Sequence, residues 1–329
     1  MSVRDVVRGV EDRRRILPVI RRPLTSSTIV AFLVLIVFWA VTDILIPGFA
    51  TLNHTQYVLQ TGAFLGIVAA GQTLVVMMGG IDLSVSGVLA LGGVVCAQLI
   101  SANDVNPAVA IIVALAICTA IGLVNGFGIL HLGLPPLVMT LAVLTIIQGG
   151  LLLYTAGSPR SATVPFLNTV ANGNSLGIPN AFWVWVAILV FGVWLLSYSR
   201  YGRYAYAIGV NIRAARLSGV PLRGTTYLMY AVCGLLAGVA GILLFGYTNN
   251  SYLTMGDPYL LGSIAAVVLG GTSILGGKGH FLGTVAGALL LTVLGSVLPV
   301  WNLPQAGRDV IEGVLIILLL LAYARERAD

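Results

Sequence analysis

Candidate functional residues are concentrated in two glycine-rich segments and one arginine-rich segment. One of them, Gly270–Gly279, superficially looks like a phosphate-binding loop, which requires a glycine, four residues and then Gly-Lys-Ser/Thr. Here Thr272 stands at the first glycine position, and Gly279 follows Lys278 where Ser or Thr is needed. The sequence therefore predicts that this chain binds no ATP by that motif, so an ATP-driven step would require a separate subunit.

The sequence shows no group of residues with the spacing of a metal site or of an acid–base catalytic site. The three cysteines stand far apart inside apolar stretches without CxxC spacing, and the three histidines fall in separate predicted turns. Ionisable side chains at the centre of a membrane span would indicate a coupled carrier. The five carboxylates near the predicted spans all lie close to a boundary instead: Asp43, Asp82, Asp257, Asp309 and Glu312. We predict no catalytic residue, no metal site and no cofactor bound by this chain.

The two glycine-rich segments, Gly79–Ser84 and Gly270–Gly279, weaken any helix that enters them. Irregular backbone at membrane depth is tolerated only where it faces protein or water. The adjoining predicted helices, Val85–Ile100 and Tyr259–Leu275, are also short, as expected beside a solvated cavity. One interpretation is a gate or pathway lining. The other is a tight turn in which Asp82 or Ser84 caps the next helix, and the two roles are compatible.

The arginine-rich segment, Ser199–Thr226, contains five Arg and no acidic residue. Within it, 204–218 is rich in Ala and favours a helix, whereas Gly219 followed by Pro221 indicates a helix stop. We therefore predict a short helix on the cytoplasmic face. The arginines of this segment have two possible roles. They either only fix the topology of the chain in the membrane or belong to a helix on which a partner docks.

The composition defines the environment that positions these segments. Apolar residues make up 58% of the 329 residues and charged residues 9%, where soluble domains have about 25% charged residues. Mean hydropathy is +1.00. Soluble, disordered and collagen-like proteins are therefore excluded. The net charge is +6, but in a membrane protein basic residues first indicate which segments are cytoplasmic, so this charge does not by itself indicate a nucleic-acid partner. No nucleic-acid partner is predicted.

Ten apolar windows of about 20 residues are long enough to cross a bilayer as helices. The sequence therefore predicts an all-α polytopic bundle embedded in membrane lipid. The windows are 28–46, 57–78, 85–100, 107–130, 137–154, 182–198, 227–245, 259–275, 281–299 and 308–323.

The arginines orient this bundle. The tail, 1–27, carries seven Arg and is predicted to be cytoplasmic by the positive-inside rule. Ten crossings, which fill the permease-like region 28–323, return the terminus 324–329 to the same side. With this orientation, fifteen of the seventeen basic residues lie on the predicted cytoplasmic side, and only Arg160 and Arg308 lie on the external side.

Four GxxxG pairs predict that helix backbones approach closely in the bundle. The pairs are Gly62/Gly66, Gly122/Gly126, Gly234/Gly238 and Gly283/Gly287.

Several strings occur together in an order typical of one protein family. They are Gly79-Gly-Ile-Asp-Leu-Ser84, Tyr206-Ala-Ile-Gly-Val-Asn211, Ala214-Ala-Arg-Leu-Ser-Gly219, Cys233-Gly-Leu-Leu-Ala-Gly238, and Ile264 to Ser273 with Gly276-Gly-Lys-Gly279. Over most of its length the chain resembles the permease subunits of bacterial ABC importers for monosaccharides. These are the ribose, xylose and arabinose type, related to branched-chain amino-acid permeases.

The resemblance implies a multi-pass inner-membrane subunit with the type II ABC importer permease fold. Its implied partners are a second permease subunit, identical or paralogous, two cytoplasmic ATPases that use the ATP, and a periplasmic sugar-binding protein. The external segments 156–181 and 246–258 become candidate docking surfaces for that binding protein.

The resemblance also implies roles for particular residues. The coupling helix that fits the ATPase would include Gly209, Asn211, Arg213, Ala214, Ala215 and Gly219. Val210, Ile212 and Arg213 depart from the family pattern around Asn211, which leaves the contacts of this helix open. The cytoplasmic end of the pathway would include Gly80, Asp82, Ser84, Gly271 and Thr272.

Two other classes remain as alternatives. A secondary carrier or facilitator of small polar solutes would need no ATPase, and a coupled carrier usually needs ionisable residues within the membrane. An integral-membrane enzyme would need a catalytic set that the scattered His and boundary acids do not provide.

Overall fold

The computed structural model describes residues 26–103, 105–301 and the single positions 307, 310, 311, 313, 314 and 317. Most of the predicted tail 1–27, the terminus 324–329 and most of the predicted tenth span, 308–323, lie outside the described residues.

Nine of the ten predicted spans coincide with helices. They are α1 (Ser26–Leu45), α2 (Leu52–Met77), α3 (Val85–Asn103), α4 (Pro107–His131), α5 (Pro136–Thr155), α7 (Asn180–Val193), α10 (Leu222–Thr248), α11 (Asp257–Leu269) and α12 (Phe281–Val297). Three shorter helices are α6 (Pro165–Asn172), α8 (Arg200–Val210) and α9 (Ile212–Leu217). A π-helical turn, Trp194–Tyr198, extends α7, and a 3-10 turn, Leu298–Trp301, follows α12.

Within the described residues, strands form only two small antiparallel pairs. The strand β1 (Arg160–Ser161) pairs with β4 (Asn250–Ser251), and β2 (Asn174–Ser175) pairs with β3 (Ile178–Pro179). Arg160 lies opposite Ser251, and Asn174 lies opposite Pro179. The first pair joins the connections that follow α5 and α10, and the second is a hairpin between α6 and α7, both on the side predicted to be external.

The predicted all-α polytopic membrane bundle is confirmed. Within the described ranges, six helices are long and apolar enough to cross a membrane: α1, α2, α4, α5, α7 with its π turn, and α10. The helices α3, α11 and α12 are apolar but shorter. The count of ten crossings stays a prediction, since the tenth window lies mostly outside the described residues.

The core is formed by α2, α3 and α10, whose side chains are mostly buried. Glycine makes close approach of helix backbones possible, both between α4 and α10 and between α11 and α12. A Cβ added at Gly122 would overlap the carbonyl oxygen of Tyr230, and one at Gly287 would overlap that of Ala266. The close packing predicted from the GxxxG pairs is therefore confirmed at these contacts.

The helix α11 ends six residues earlier than predicted, at Leu269 rather than Leu275. Its 13 residues extend about 20 Å, which is less than the about 30 Å of hydrocarbon in a bilayer. Gly271 adopts φ +82°, a left-handed conformation that favours glycine, so the helix cannot continue through it. The irregular segment Gly270–Gly279 therefore begins earlier than the apolar pattern indicates.

Candidate functional site

The arginine-rich segment folds into two helices, α8 and α9, rather than the single helix predicted over 204–218. Asn211 separates them: it has φ −161° and ψ 106°, and its side-chain oxygen accepts hydrogen bonds from the backbone N–H groups of Arg213 and Ala214, each at 3.0 Å. Asn is a favourable N-cap residue, so it ends one helix and begins the next. The predicted stop is confirmed at Gly219, which adopts φ +76°.

The short helix α9 presents apolar and basic side chains on the surface. Within α9, Leu217 is 89% exposed and Ile212 53%, and Val210, the last residue of α8, is 72% exposed next to them. Arg213 and Arg216 are exposed beside them, with Asn211, Ala214 and Gly219, whereas Ala215 is buried and Gly209 is half-buried. Large apolar tips are not expected on a solvated face that only orients the chain. The arrangement fits a docking surface for a partner that has apolar pockets and acidic groups.

The helix α8 contacts the glycine-rich segment Gly270–Gly279 and the end of α2 that leads into the segment Gly79–Ser84. A Cβ added at Gly209 would overlap the carbonyl oxygen of Met77 and the amide nitrogen of Gly277. The amide of Gly277 itself donates to the Met77 carbonyl at 3.0 Å. One turn away, the hydroxyl of Tyr206 donates to the carbonyl of Gly279 at 2.9 Å. The predicted coupling segment and the two predicted gate segments therefore meet at one junction.

The segment Gly270–Gly279 is a compact turn with its own hydrogen bonds. The amide of Ser273 donates to the carbonyl of Lys278 at 2.8 Å, which closes the turn. Gly271 and Thr272 are buried inside it, and the Thr272 hydroxyl has no hydrogen-bond partner among the described residues. Lys278 is exposed at the surface.

The segment Gly79–Ser84 is held by a buried polar network around Asp82. The Asp82 carboxylate accepts from the amide of Ser84 at 2.9 Å and from its hydroxyl at 2.6 Å. The Ser84 hydroxyl in turn accepts from the side-chain amide of Asn125 on α4 at 2.8 Å. Asp82 is 1% exposed, so burial raises the pKa of its carboxyl, and the two hydrogen bonds from Ser84 oppose that rise.

Other groups fix the same segment from further helices. With its amide correctly oriented, Gln72 on α2 pairs with the backbone N–H and carbonyl of Asp82, each at 3.2 Å. Gly80 leaves room for Tyr230 on α10, since an added Cβ would lie 2.7 Å from its hydroxyl oxygen. The amide of Leu83 donates to the Thr140 hydroxyl on α5 at 3.0 Å. Asp82 accepts from the Ser84 amide just before α3, as expected for a residue that caps this helix. Asp82 and Ser84 are both buried by protein in this conformation.

The sequence does not reveal which residues hold the two glycine-rich segments: Gln72, Asn125, Thr140 and Tyr230 at Gly79–Ser84, and Tyr206 at Gly270–Gly279. Each lies within an apolar helix or in a predicted surface segment, and no local pattern marks its distant partner. Among the described residues no group of three or more His, Cys, Asp or Glu side chains is placed to hold a metal ion.

A cluster of four tyrosines was also missed. Tyr259 lies near Tyr252, Tyr247 and Tyr57. Tyr247 also packs against Phe64, with the two ring centroids 5.4 Å apart. They come from α2, α10, α11 and the connection after β4, so their convergence depends on tertiary structure. The cluster lies at the end of the bundle opposite α8 and α9, beside β1 and β4.

Comparison with known proteins places this architecture among transport proteins. Residues 55–320 match the family described as "Branched-chain amino acid transport system / permease component". The chain is 36% identical over 302 residues to the ribose import permease protein RbsC of Escherichia coli K12, covering 91% of this chain and 93% of the relative. No solved structure matches the chain.

Two further relatives show a similar extent of likeness. The ribose import permease protein RbsC of Bacillus subtilis is 34% identical over 300 residues, which cover 90% of this chain and 92% of the relative. The autoinducer 2 import system permease protein LsrC of Klebsiella pneumoniae is 32% identical over 307 residues, which cover 92% and 88%.

Proposed function

This chain belongs to the permease family of the branched-chain amino acid transport system, and from that premise we propose that it is the membrane subunit of an ATP-driven importer for a monosaccharide. The relatives named for ribose import support a sugar as the transported solute, and a pentose is the first sugar to test. The subunit would form the passage in the inner membrane, with both of its termini on the cytoplasmic side.

The observation that carries the proposal is the junction between α8 and the glycine-rich segments. A separate ATPase would dock on α9 and the end of α8, where Val210, Ile212 and Leu217 are exposed beside arginines. Movement of α9 would reach the segments on either side of α8 through Gly209 and Tyr206. Those segments, with Gly80, Asp82, Ser84, Gly271 and Thr272, would form the cytoplasmic end of the pathway.

Energy would come from the partner, because the segment Gly270–Gly279 does not match the phosphate-binding-loop motif. ATP binding would draw two ATPase subunits together and shift α9, and hydrolysis would release them. The permease would then alternate between two conformations, each open to one side of the membrane. A catalytic residue in this chain is not required by that scheme.

Two further partners complete the proposed assembly. A second permease subunit would lie beside this one in the membrane, and a periplasmic sugar-binding protein would deliver the solute to the opposite end. The small strand pairs, α6 and the tyrosine cluster offer that protein a polar and aromatic surface. Phe166 and Leu176 are exposed there.

The test is reconstitution of the chain in proteoliposomes with its ATPase and its binding protein. We expect the ATPase to co-purify, and uptake of radiolabelled D-ribose to require both ATP and the binding protein. Uptake by this chain alone, driven by an ion gradient, would instead establish the secondary carrier. If a complex that purifies stably transports neither pentoses nor hexoses, the proposal that the solute is a monosaccharide is rejected.

A further inference from the structure

The helix α7 and the π turn that extends it expose one stripe of side chains along their whole length. The members of this stripe recur about every three or four residues and are Trp183, Ala187, Val190, Phe191, Trp194 and Tyr198. The middle of the stripe is apolar, whereas both of its ends are aromatic. Tryptophan and tyrosine are enriched where a membrane span meets the lipid headgroups. The aromatic ends therefore mark the two levels at which α7 leaves the hydrocarbon.

The length of this span places its second end at the headgroups on the side predicted to be cytoplasmic. The helix with its π turn, Asn180–Tyr198, contains 19 residues. These residues extend about 28 Å, which matches the hydrocarbon thickness of about 30 Å. Trp194 is 54% exposed and Tyr198 51% at this end. The Ser199 amide donates to the Trp194 carbonyl at 3.1 Å, which makes the turn π-helical, and such turns are frequent at functional sites.

Two arginines follow the span directly. The Ser199 hydroxyl accepts from the Gly202 amide at 3.1 Å and caps α8, so the chain passes from the span into α8 without a linker. Arg200 and Arg203 are both exposed in the first turn of α8. They lie about 60° apart around the helix axis. The opposite face, which includes Gly202 and Ala205, is buried in the bundle. Both arginines therefore lie at headgroup level, on the side of α8 that faces away from the bundle.

Neither arginine has an anionic partner in the described part of the chain. Arg200 and Arg203 make no hydrogen bond or ion pair with any residue in the described ranges. The segment Ser199–Thr226 contains no acidic residue. The Arg200 guanidinium lies over the ring of Tyr201, with its central carbon 5.3 Å from the ring centroid. This contact uses none of the guanidinium N–H groups, which remain available to an anion.

We propose that Arg200 and Arg203 bind the phosphate of an anionic phospholipid in the leaflet on this side of the membrane. Trp194 and Tyr198 pack beside its acyl chains at the boundary of the hydrocarbon. The cytoplasmic surface of a membrane is negatively charged and attracts basic side chains at this level. A guanidinium also matches two phosphate oxygens with parallel N–H groups. A zwitterionic headgroup carries its own ammonium group and therefore competes less well.

The lipid would act on one end of α8. The bound phosphate holds the start of this helix, at Arg200 and Arg203, to the membrane surface. At the other end of the helix, Gly209 contacts the turn Gly270–Gly279. The inference goes beyond the proposed function and requires only that α7 crosses the membrane, so it stands or falls without reference to the transported solute or to the ATPase.

The first test measures which lipid the full-length chain retains. Protein purified in detergent is equilibrated with equimolar phosphatidylglycerol and phosphatidylcholine that carry the same acyl chains, and the bound lipids are counted by native mass spectrometry. We expect phosphatidylglycerol to be retained at least about tenfold more, because only this lipid has a net negative charge for the arginines. Equal retention of the two lipids overturns the proposal.

The second test locates the site. Arg200→Gln combined with Arg203→Gln removes both guanidinium groups, and the preference for phosphatidylglycerol should fall at least about tenfold. The matched control, Arg213→Gln combined with Arg216→Gln, removes the same charge from α9 and should keep the preference. All four side chains are exposed, so neither variant is expected to unfold. Loss of the preference in both variants, or in neither, overturns the assignment to the start of α8.

Two further outcomes would identify a different ligand for Arg200 and Arg203. Displacement of phosphatidylglycerol by an equimolar amount of inorganic phosphate would identify a site for a free anion and reject the lipid. If the double Gln variant at 200 and 203 keeps its phosphatidylglycerol but no longer co-purifies with the ATPase, these arginines belong to a protein interface and the lipid site is rejected. Loss of phosphatidylglycerol with the ATPase still bound supports the proposal.

Discussion

Tyr206 and Gly279 are joined by a hydrogen bond of 2.9 Å from the phenol hydroxyl to the backbone carbonyl, and this bond connects α8 to the far end of a glycine-rich turn. It lies in the interior, since Tyr206 is 4% exposed. A displaced α8 therefore pulls directly on backbone rather than on a flexible side chain.

Tyr206→Phe tests this connection. The ring stays packed and only the hydroxyl is lost, so the free energy of unfolding should fall by about 0.5–1.5 kcal/mol. ATP hydrolysis by the assembled complex should continue, while the amount of sugar moved per ATP should decrease. Tyr201→Phe on the same helix is the control, and an equal effect in both variants would show that the Tyr206 bond has no special role.

Gly209→Ala tests the close contact of α8 with Met77 and Gly277. The added methyl group overlaps backbone atoms of both residues, which cannot move aside as a side chain can. We expect a loss of about 1–3 kcal/mol in stability, measured by thermal unfolding in detergent. Gly224→Ala is the matched control, because its added Cβ meets no atom within 4 Å. A variant at 209 as stable as the one at 224 would contradict the packing described for α8.

Asp82→Ala and Asp82→Asn separate hydrogen bonding from charge. Alanine leaves the buried amide and hydroxyl of Ser84 without their acceptor, and this should cost about 1–3 kcal/mol of stability. Asparagine keeps an oxygen that accepts from Ser84, and burial already disfavours the charge. We therefore expect the Asn variant to unfold close to the temperature of the wild type. Equal destabilisation by both changes would mean that the carboxylate charge itself is needed.

Leu217→Asp tests the proposed docking surface. Leu217 is 89% exposed, so the change should leave folding and membrane insertion intact while weakening co-purification of the ATPase at least about tenfold. Leu176→Asp, at a residue 93% exposed near the tyrosine end of the bundle, is the control and should leave the ATPase bound. Retention of the ATPase by the Leu217 variant would place the docking surface elsewhere.

Local signals account for what the sequence predicted about the site. Gly219 before Pro221 marks a helix stop at the correct residue, and the glycines at 79 and 80 mark a break between α2 and α3. The break at Asn211 was missed because Ala-rich residues on both sides favour an uninterrupted helix, although Asn is a common cap. The early end of α11 was missed for a similar reason: the sequence remains apolar up to Leu275, whereas Gly271 adopts a backbone that no helix accommodates.

Tertiary contacts account for what the sequence did not predict. Asn125 is 41 positions from Ser84, and Tyr206 is 73 positions from Gly279. A single sequence carries no local trace of such pairs. Thr145 and Gln148 on α5 are a different case: the sequence shows them as polar residues in an apolar run, but only the packing shows that both are exposed.

The hydrogen bond from Gly277 to Met77 fastens together two stretches of chain that are 200 residues apart, at the inner tips of α2 and of the turn beyond α11. Because α8 contacts both residues of that hydrogen bond, neither segment can move by itself. The opening proposed for this end would therefore have to be concerted, and a state with only one segment displaced would first have to break the bond.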